Sequence, residues 1–155
     1  MQSKKVNTGK PANAYIGATW GAFVIGISSY LIGLWNATIQ LNEKGYYLAV
    51  LLLALFSAVA LQKSVRDREE NMPVTNVFLS MCWGAFFAAV SLLIIGLYNA
   101  EMMLSEKGFY GISFVLSLFA VVTAQKNVRD VSYYSDDDVL SSRESVEGRD
   151  DNDES

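Results

Sequence analysis

The chain has 155 residues, 52% apolar and 18% charged, with no histidine and a single cysteine, Cys82. This excludes imidazole general bases, zinc or haem ligation through His, and an internal disulfide. The net charge of −4 hides a division: residues 1–135 hold 10 Lys/Arg against 7 Asp/Glu, while residues 136–155 hold 9 acids against 2 arginines.

Residues 1–13 read as a polar N-terminal arm. The first apolar run, Ala14 to Trp35, is 22 residues and leads directly into a polar linker. It is longer than the apolar core of a signal peptide, so it reads as a retained membrane helix despite Lys4, Lys5 and Lys10 before it. The linker is Asn36 to Lys44, and helix two follows at Gly45 to Lys63. Ser64 to Thr75 is the longest internal connection, with the strictly inter-repeat part at 68–75. Helix three is expected at Asn76 to Tyr98, a second linker at Asn99 to Lys107, and helix four at Gly108 to Lys126. From Val131 onward Ser, Asp and Glu dominate. Such a segment buries too little apolar surface to offset its ordering entropy, so residues 131–155 read as a disordered acidic tail.

The two shorter charge-free stretches, Gly45 to Gln62 and Gly108 to Gln125, have 18 residues each. At ~1.5 Å per residue that reaches ~27 Å, close to the hydrocarbon thickness of a bilayer. A soluble bundle would need a polar face every 3.6 residues, and neither Leu48 to Phe56 nor Phe86 to Leu97 has one. The fold class is therefore an all-α membrane protein.

A shift of 63 residues lays the chain on itself. Between Trp20–Asp67 and Trp83–Asp130, 24 of 48 positions are identical without a gap. A copied unit holding an even number of spans has one orientation both times, so the four helices form a tandem parallel repeat of two hairpins, residues 14–67 and 76–130. Lys4, Lys5, Lys10, Lys63, Arg66, Arg68, Lys126 and Arg129 fall on one side, and only Lys44 and Lys107 on the other. That bias assigns both termini to the cytoplasm.

The repeated string is Gly33-Leu34-Trp35-Asn36-Ala37, then Leu41-Asn42-Glu43-Lys44-Gly45-Tyr46-Tyr47, then Gln62-Lys63-Ser64-Val65-Arg66-Asp67. Its second copy is Gly96-Leu97-Tyr98-Asn99-Ala100, Leu104-Ser105-Glu106-Lys107-Gly108-Phe109-Tyr110 and Gln125-Lys126-Asn127-Val128-Arg129-Asp130. Over residues 14 to 130 this resembles the YiaA/YiaB family of bacterial inner-membrane proteins, built from a two-helix domain. The resemblance implies location and architecture. It supplies no catalytic residues.

Each repeated position admits a structural and a functional reading. Asn42 and Ser105 suit helix N-caps, with Glu43 and Glu106 at the first helical position, where the dipole favours an anion. Together with Lys44, Lys107, Gly45 and Gly108, the same glutamates could instead face a ligand as two symmetric Glu-Lys pairs. Asn36 and Asn99 either close helices one and three or contact a solute. Lys63/Asp67, Gln62/Arg66, Lys126/Asp130 and Gln125/Arg129 lie four apart, which predicts pairs on one helix face, a topology anchor at anionic headgroups, or a docking surface. Gly17/Gly21, Ser80/Gly84, Ala54/Ala58 and Ser113/Ser117 set small residues four apart and predict close packing, with helix one against helix three. Trp20, Trp35, Tyr46, Tyr47, Trp83, Tyr98, Phe109 and Tyr110 suit an interfacial belt.

No Asp, Glu, Lys or Arg lies inside a proposed span, and no phosphate loop, activated nucleophile or metal-ligand cluster is legible. The expected protein is a non-enzymatic multi-pass inner-membrane protein without cofactor or metal. Its surroundings are the lipid bilayer and a homo-oligomer or membrane-protein partner, and nucleic acid has no support. The expected role is structural, accessory or partner-binding. The alternative is a small channel or facilitator for an uncharged solute at the repeat or oligomer interface.

Overall fold

A computed structural model of the chain describes the backbone of residues 11–153, with side chains through Asp136 and at Val139 and Leu140. Lys4, Lys5 and Lys10 lie outside the described residues. The fold is four helices: α1 (Asn13–Asn36), α2 (Leu41–Glu69), α3 (Asn76–Asn99) and α4 (Leu104–Asp153). Twenty-four residues, the length of α1 and of α3, rise ~36 Å, enough to cross a bilayer. All four are long and apolar enough to span one. Their outward sides carry Val24, Ile32, Phe56, Ile94, Ile112 and Phe119, all exposed. Lipid can cover such faces and water cannot.

The packing order differs from a pair of hairpins. α1 lies along α4, α3 lies along α2, and α2 meets α4, while α1 and α2 touch at only a few points. The helices therefore stand as α1, α4, α2, α3. α2 and α4 are central, with 33% of each span buried against 17% for α1 and α3. The helix one–helix three contact expected from small residues is absent as a packed interface. Gly17, Gly21 and Gly84 have open space where a side chain would begin. The close approaches come elsewhere. A Cβ on Gly26 would meet Ser117, one on Gly33 would meet Phe109, and one on Gly96 would meet Tyr46. Ala54, Ala58, Ser113 and Ser117, on the central helices, are buried as their spacing predicts. In lipid, close backbone approach is a main source of helix association, which places small residues where the repeats cross.

The core is Tyr30, Leu34, Tyr47, Val50, Leu51, Ala54, Ala89, Leu93, Tyr110 and Phe114. Tyr47 and Tyr110 are stacked 6.2 Å apart on the pseudo-twofold axis. They belong to the core and not to the interfacial belt. Trp35 and Tyr98, at 83% and 84% exposed, do point outward at span ends.

The boundaries also move. α2 and α4 begin at Leu41 and Leu104, ahead of the expected Gly45 and Gly108, so the first turn precedes the motif glycines. α2 continues to Glu69 and ends in a Schellman turn. Asn71, at φ 58°, is its left-handed residue. Met72 N–H donates to Asp67 O at 2.8 Å, and Asn71 N–H to Arg68 O at 3.2 Å. Asn tolerates that conformation, and Pro73 follows where a helix cannot continue. The backbone of residues 131–153 carries α4 onward to Asp153. Ser132 and Ser135 hydroxyls donate to the carbonyls of Val128 and Val131, and no Gly or Pro interrupts the sequence before Gly148.

Candidate functional site

The repeated residues gather at the two ends of the bundle. At the linker end, Glu43 and Glu106 bend back to the start of their helices. Gln40 N–H donates to Glu43 Oε2 and Met103 N–H to Glu106 Oε2, both at 2.9 Å. The N-terminal boundary residues are thus Gln40 and Met103, not Asn42 and Ser105. A glutamate at the third helical position reaches the boundary amide that a shorter side chain one or two residues later cannot, and the negative charge suits that end of the dipole.

The lysines beside them reach across the linker. Lys44 Nζ donates to Trp35 O at 2.8 Å and Lys107 Nζ to Tyr98 O at 3.3 Å. Asn36 Nδ2 donates to Ile32 O at 2.9 Å and Asn99 Nδ2 to Ile95 O at 2.8 Å. Each lysine thereby gives a cationic donor to a last-turn carbonyl that the helix ladder leaves open, while each asparagine adds a second donor to a carbonyl one turn back. The Glu-Lys-Gly string is a staple: the acid closes the entering helix and the base closes the departing one. Gly45 and Gly108 make no close approach.

Two clefts flank the axis at this end. One, about 320 Å³, is lined by Asn36, Thr38, Glu101, Glu106 and Phe109 among others. Its counterpart, about 720 Å³, is lined by Asn42, Glu43, Tyr46, Asn99 and Glu101. They share Thr38, Ile39 and Glu101 and correspond under the 63-residue shift. Beneath them Tyr46 O–H donates to Leu92 O at 2.6 Å and Tyr30 O–H to Tyr47 O at 3.0 Å. Tyr47, Tyr110, Leu51, Phe114 and Ala54 fill the axis below the clefts, all buried.

At the other end the arginines and aspartates pair between repeats, not along one helix. Arg66 Nη2 reaches Asp130 Oδ1 at 3.3 Å, and Arg129 Nη1 reaches Asp67 Oδ1 at 3.7 Å. Glu70 joins both sides, accepting from Arg66 Nε at 3.1 Å and from Arg129 Nη2. The Lys63/Asp67 and Lys126/Asp130 pairs expected from spacing give way to this exchange. The crossing of α2 with α4 carries each Arg-Asp dipeptide to the other, and a guanidinium engages a carboxylate with more donors than an ammonium. Among the described residues Lys63 and Lys126 form no ion pair, and both are exposed. Lys63 borders a groove with Phe56, Thr75 and Phe78. Gln62 borders an apolar groove with Trp83 and Phe86. Gln125 keeps Oε1 buried without a hydrogen-bond partner among the described residues.

Just inside this clasp sit two buried polar contacts that the motif did not reveal. Asn127 Nδ2 donates to Thr19 Oγ1 at 3.2 Å, tying α4 to α1. Ser64 Oγ lies 3.9 Å from Cys82 Sγ, tying α2 to α3. The signal was available, because Ser64 and Asn127 are equivalent polar positions, as are Thr19 and Cys82.

A family model described as the yiaA/B two helix domain matches residues 15–67 and again 78–130. The chain belongs to the yiaA/B two-helix family. Inner membrane protein YiaA of Escherichia coli (strain K12) is 54% identical over 126 residues, 81% of this chain and 86% of that protein. Inner membrane protein YiaB of the same strain is 34% identical over 63% of this chain and 82% of its own length. The uncharacterized membrane protein YubF of Bacillus subtilis (strain 168) is 46% identical over 50 residues, 32% of this chain and 58% of its own. No solved structure matches. As a yiaA/B two-helix protein with two copies of the unit and four apolar helices, this chain is a multi-pass membrane protein. Its family match ends at Asp130, where the extension of α4 begins.

Proposed function

We propose that this yiaA/B protein is a non-enzymatic inner-membrane scaffold: a rigid four-span body that holds a partner and leaves chemistry to it. One observation carries the reading. Five of the polar pairs that recur in both repeats, Asn36/Asn99, Glu43/Glu106, Lys44/Lys107, Arg66/Arg129 and Asp67/Asp130, are engaged with the protein itself, as helix closures at the linker end and reciprocal ion pairs at the basic end. The names of two relatives support the inner membrane as its location. The eight-to-two distribution of basic residues supports cytoplasmic termini. The buried aromatic plug on the axis counts against solute passage through a single copy.

Crosslinking in native membranes, followed by identification of bound proteins, tests the scaffold reading. A reproducible membrane-protein adduct is expected, and recovery of self-crosslinked species alone counts against it. Reporters fused after Lys44 and after Arg68 are expected in opposite compartments. One compartment for both breaks the topology.

A further inference from the structure

Neither repeat is a packed hairpin. Within the first, α1 and α2 meet at a few points, and the second shows no packed α3–α4 interface. What holds the molecule together lies between repeats: α1 along α4, α3 along α2, and α2 against α4. The close glycine contacts, the buried Asn127–Thr19 hydrogen bond and both Arg-Asp pairs join a residue of one repeat to a residue of the other. Nothing in these contacts requires the two repeats to share a chain.

The covalent link is residues 70–75. It turns through Asn71, the one non-glycine residue at positive φ among the described residues. Straightened, six residues reach ~20 Å, about two interhelical distances. The first repeat is also synthesised first, and its pairing face enters the membrane before its mate exists. Hinges of this kind are where copies trade elements.

We propose that the pairing face of each repeat accepts the matching repeat of a second copy of this chain, so that copies exchange halves about residues 70–75. The partner is a second copy because the complementary surface is written in this sequence: the exchanged assembly reproduces each contact of the closed one. The link favours closure within one chain through its high effective concentration. Exchange is thus the minor form of the wild type and becomes dominant when the intrachain clasp is blocked. The inference goes beyond the scaffold reading and does not need it, since it concerns the pairing face alone.

The test uses full-length chains with two tags. One carries Asp67→Arg and Asp130→Arg, the other Arg66→Asp and Arg129→Asp. Each alone brings like charges together at the clasp, and only exchange between them restores opposite charges on both sides. Thr19→Cys is placed in one chain and Asn127→Cys in the other, both with Cys82→Ser, and membranes are oxidised mildly. An interchain disulfide requires α1 of one copy to lie on α4 of the other. The mixed pair is expected to give about tenfold or more interchain adduct than chains with unaltered clasps, a difference of one decade in the pairing equilibrium. No adduct in the mixed pair, while both cysteines in one otherwise unaltered chain do close, overturns the proposal. If the variants fail to accumulate singly, accumulation only when co-expressed supports it, and failure of the pair as well overturns it. A scaffold partner found by crosslinking is unaffected by either result, so the two readings fail separately.

Discussion

The α1–α4 and α3–α2 pairs occupy equivalent places and solve the same packing problem with different residues. In the first, Gly26 lies on Ser117, so near that a Cβ would come 3.0 Å from the Ser117 backbone nitrogen. In the second, the same positions are Ala89 and Ala54, both fully buried. One level outward, Tyr30 meets Phe114 in the first pair, while Leu93 and Leu51 take the equivalent positions in the second. Near the basic end, Asn127–Thr19 is answered by Ser64–Cys82. The α1–α4 pair is closer in backbone at Gly26 and bulkier in its aromatic layer, while the α3–α2 pair has the Tyr46 O–H bond to Leu92 O, which Phe109 at the equivalent position cannot make. The two repeats keep the same positions of contact and fill them with side chains of different volume.

The strongest way to break this asymmetry is Gly26→Val. Overpacking of tight contacts costs ~1–3 kcal/mol, and here backbone must move. A clear fall in the detergent melting temperature is expected, with Ala89→Val affected less. Equal losses at both would dissolve the distinction. Next, Asn127→Ala is expected to cost ~1 kcal/mol, within the range for interhelical hydrogen bonds in lipid, and Ser64→Ala less. Stability against a denaturing detergent, read by circular dichroism, ranks them. Tyr30→Phe removes one hydrogen bond while keeping the ring, so a loss of ~0.5–1 kcal/mol is expected in the same assay. The smallest effects belong to the linker lysines. Lys44→Met should cost ~0.3–1 kcal/mol and Lys107→Met less, because the Lys44 bond is shorter. A larger loss at Lys107 would contradict the geometry.

Much of the architecture was legible because lipid imposes a crude rule. A span must be apolar and long enough, and a 63-residue repeat fixes how often the rule applies. Helix partners were not legible. Gly17-x-x-x-Gly21 and Gly26 are equally plausible in sequence, and which glycine meets a neighbour depends on where the linkers send each helix. The clasp was misassigned for a related reason. Spacing of four, as in Lys63/Asp67, reports only neighbours on one helix, and the crossing of α2 with α4 offered Asp67 and Asp130 better donors. The starts of α2 and α4 were missed because Glu43 and Glu106 can close a helix from its third residue without a short polar side chain at its boundary.

α4 runs from Leu104 to Asp153 as 50 residues of continuous helix. It touches both α1 and α2 on its way. There is no joint between the embedded part and the acidic projection. Phe114 and Ser117, packed where the repeats cross, therefore share one unbroken backbone ladder with the acidic projection, and the projection leaves the bundle along the axis of a central helix.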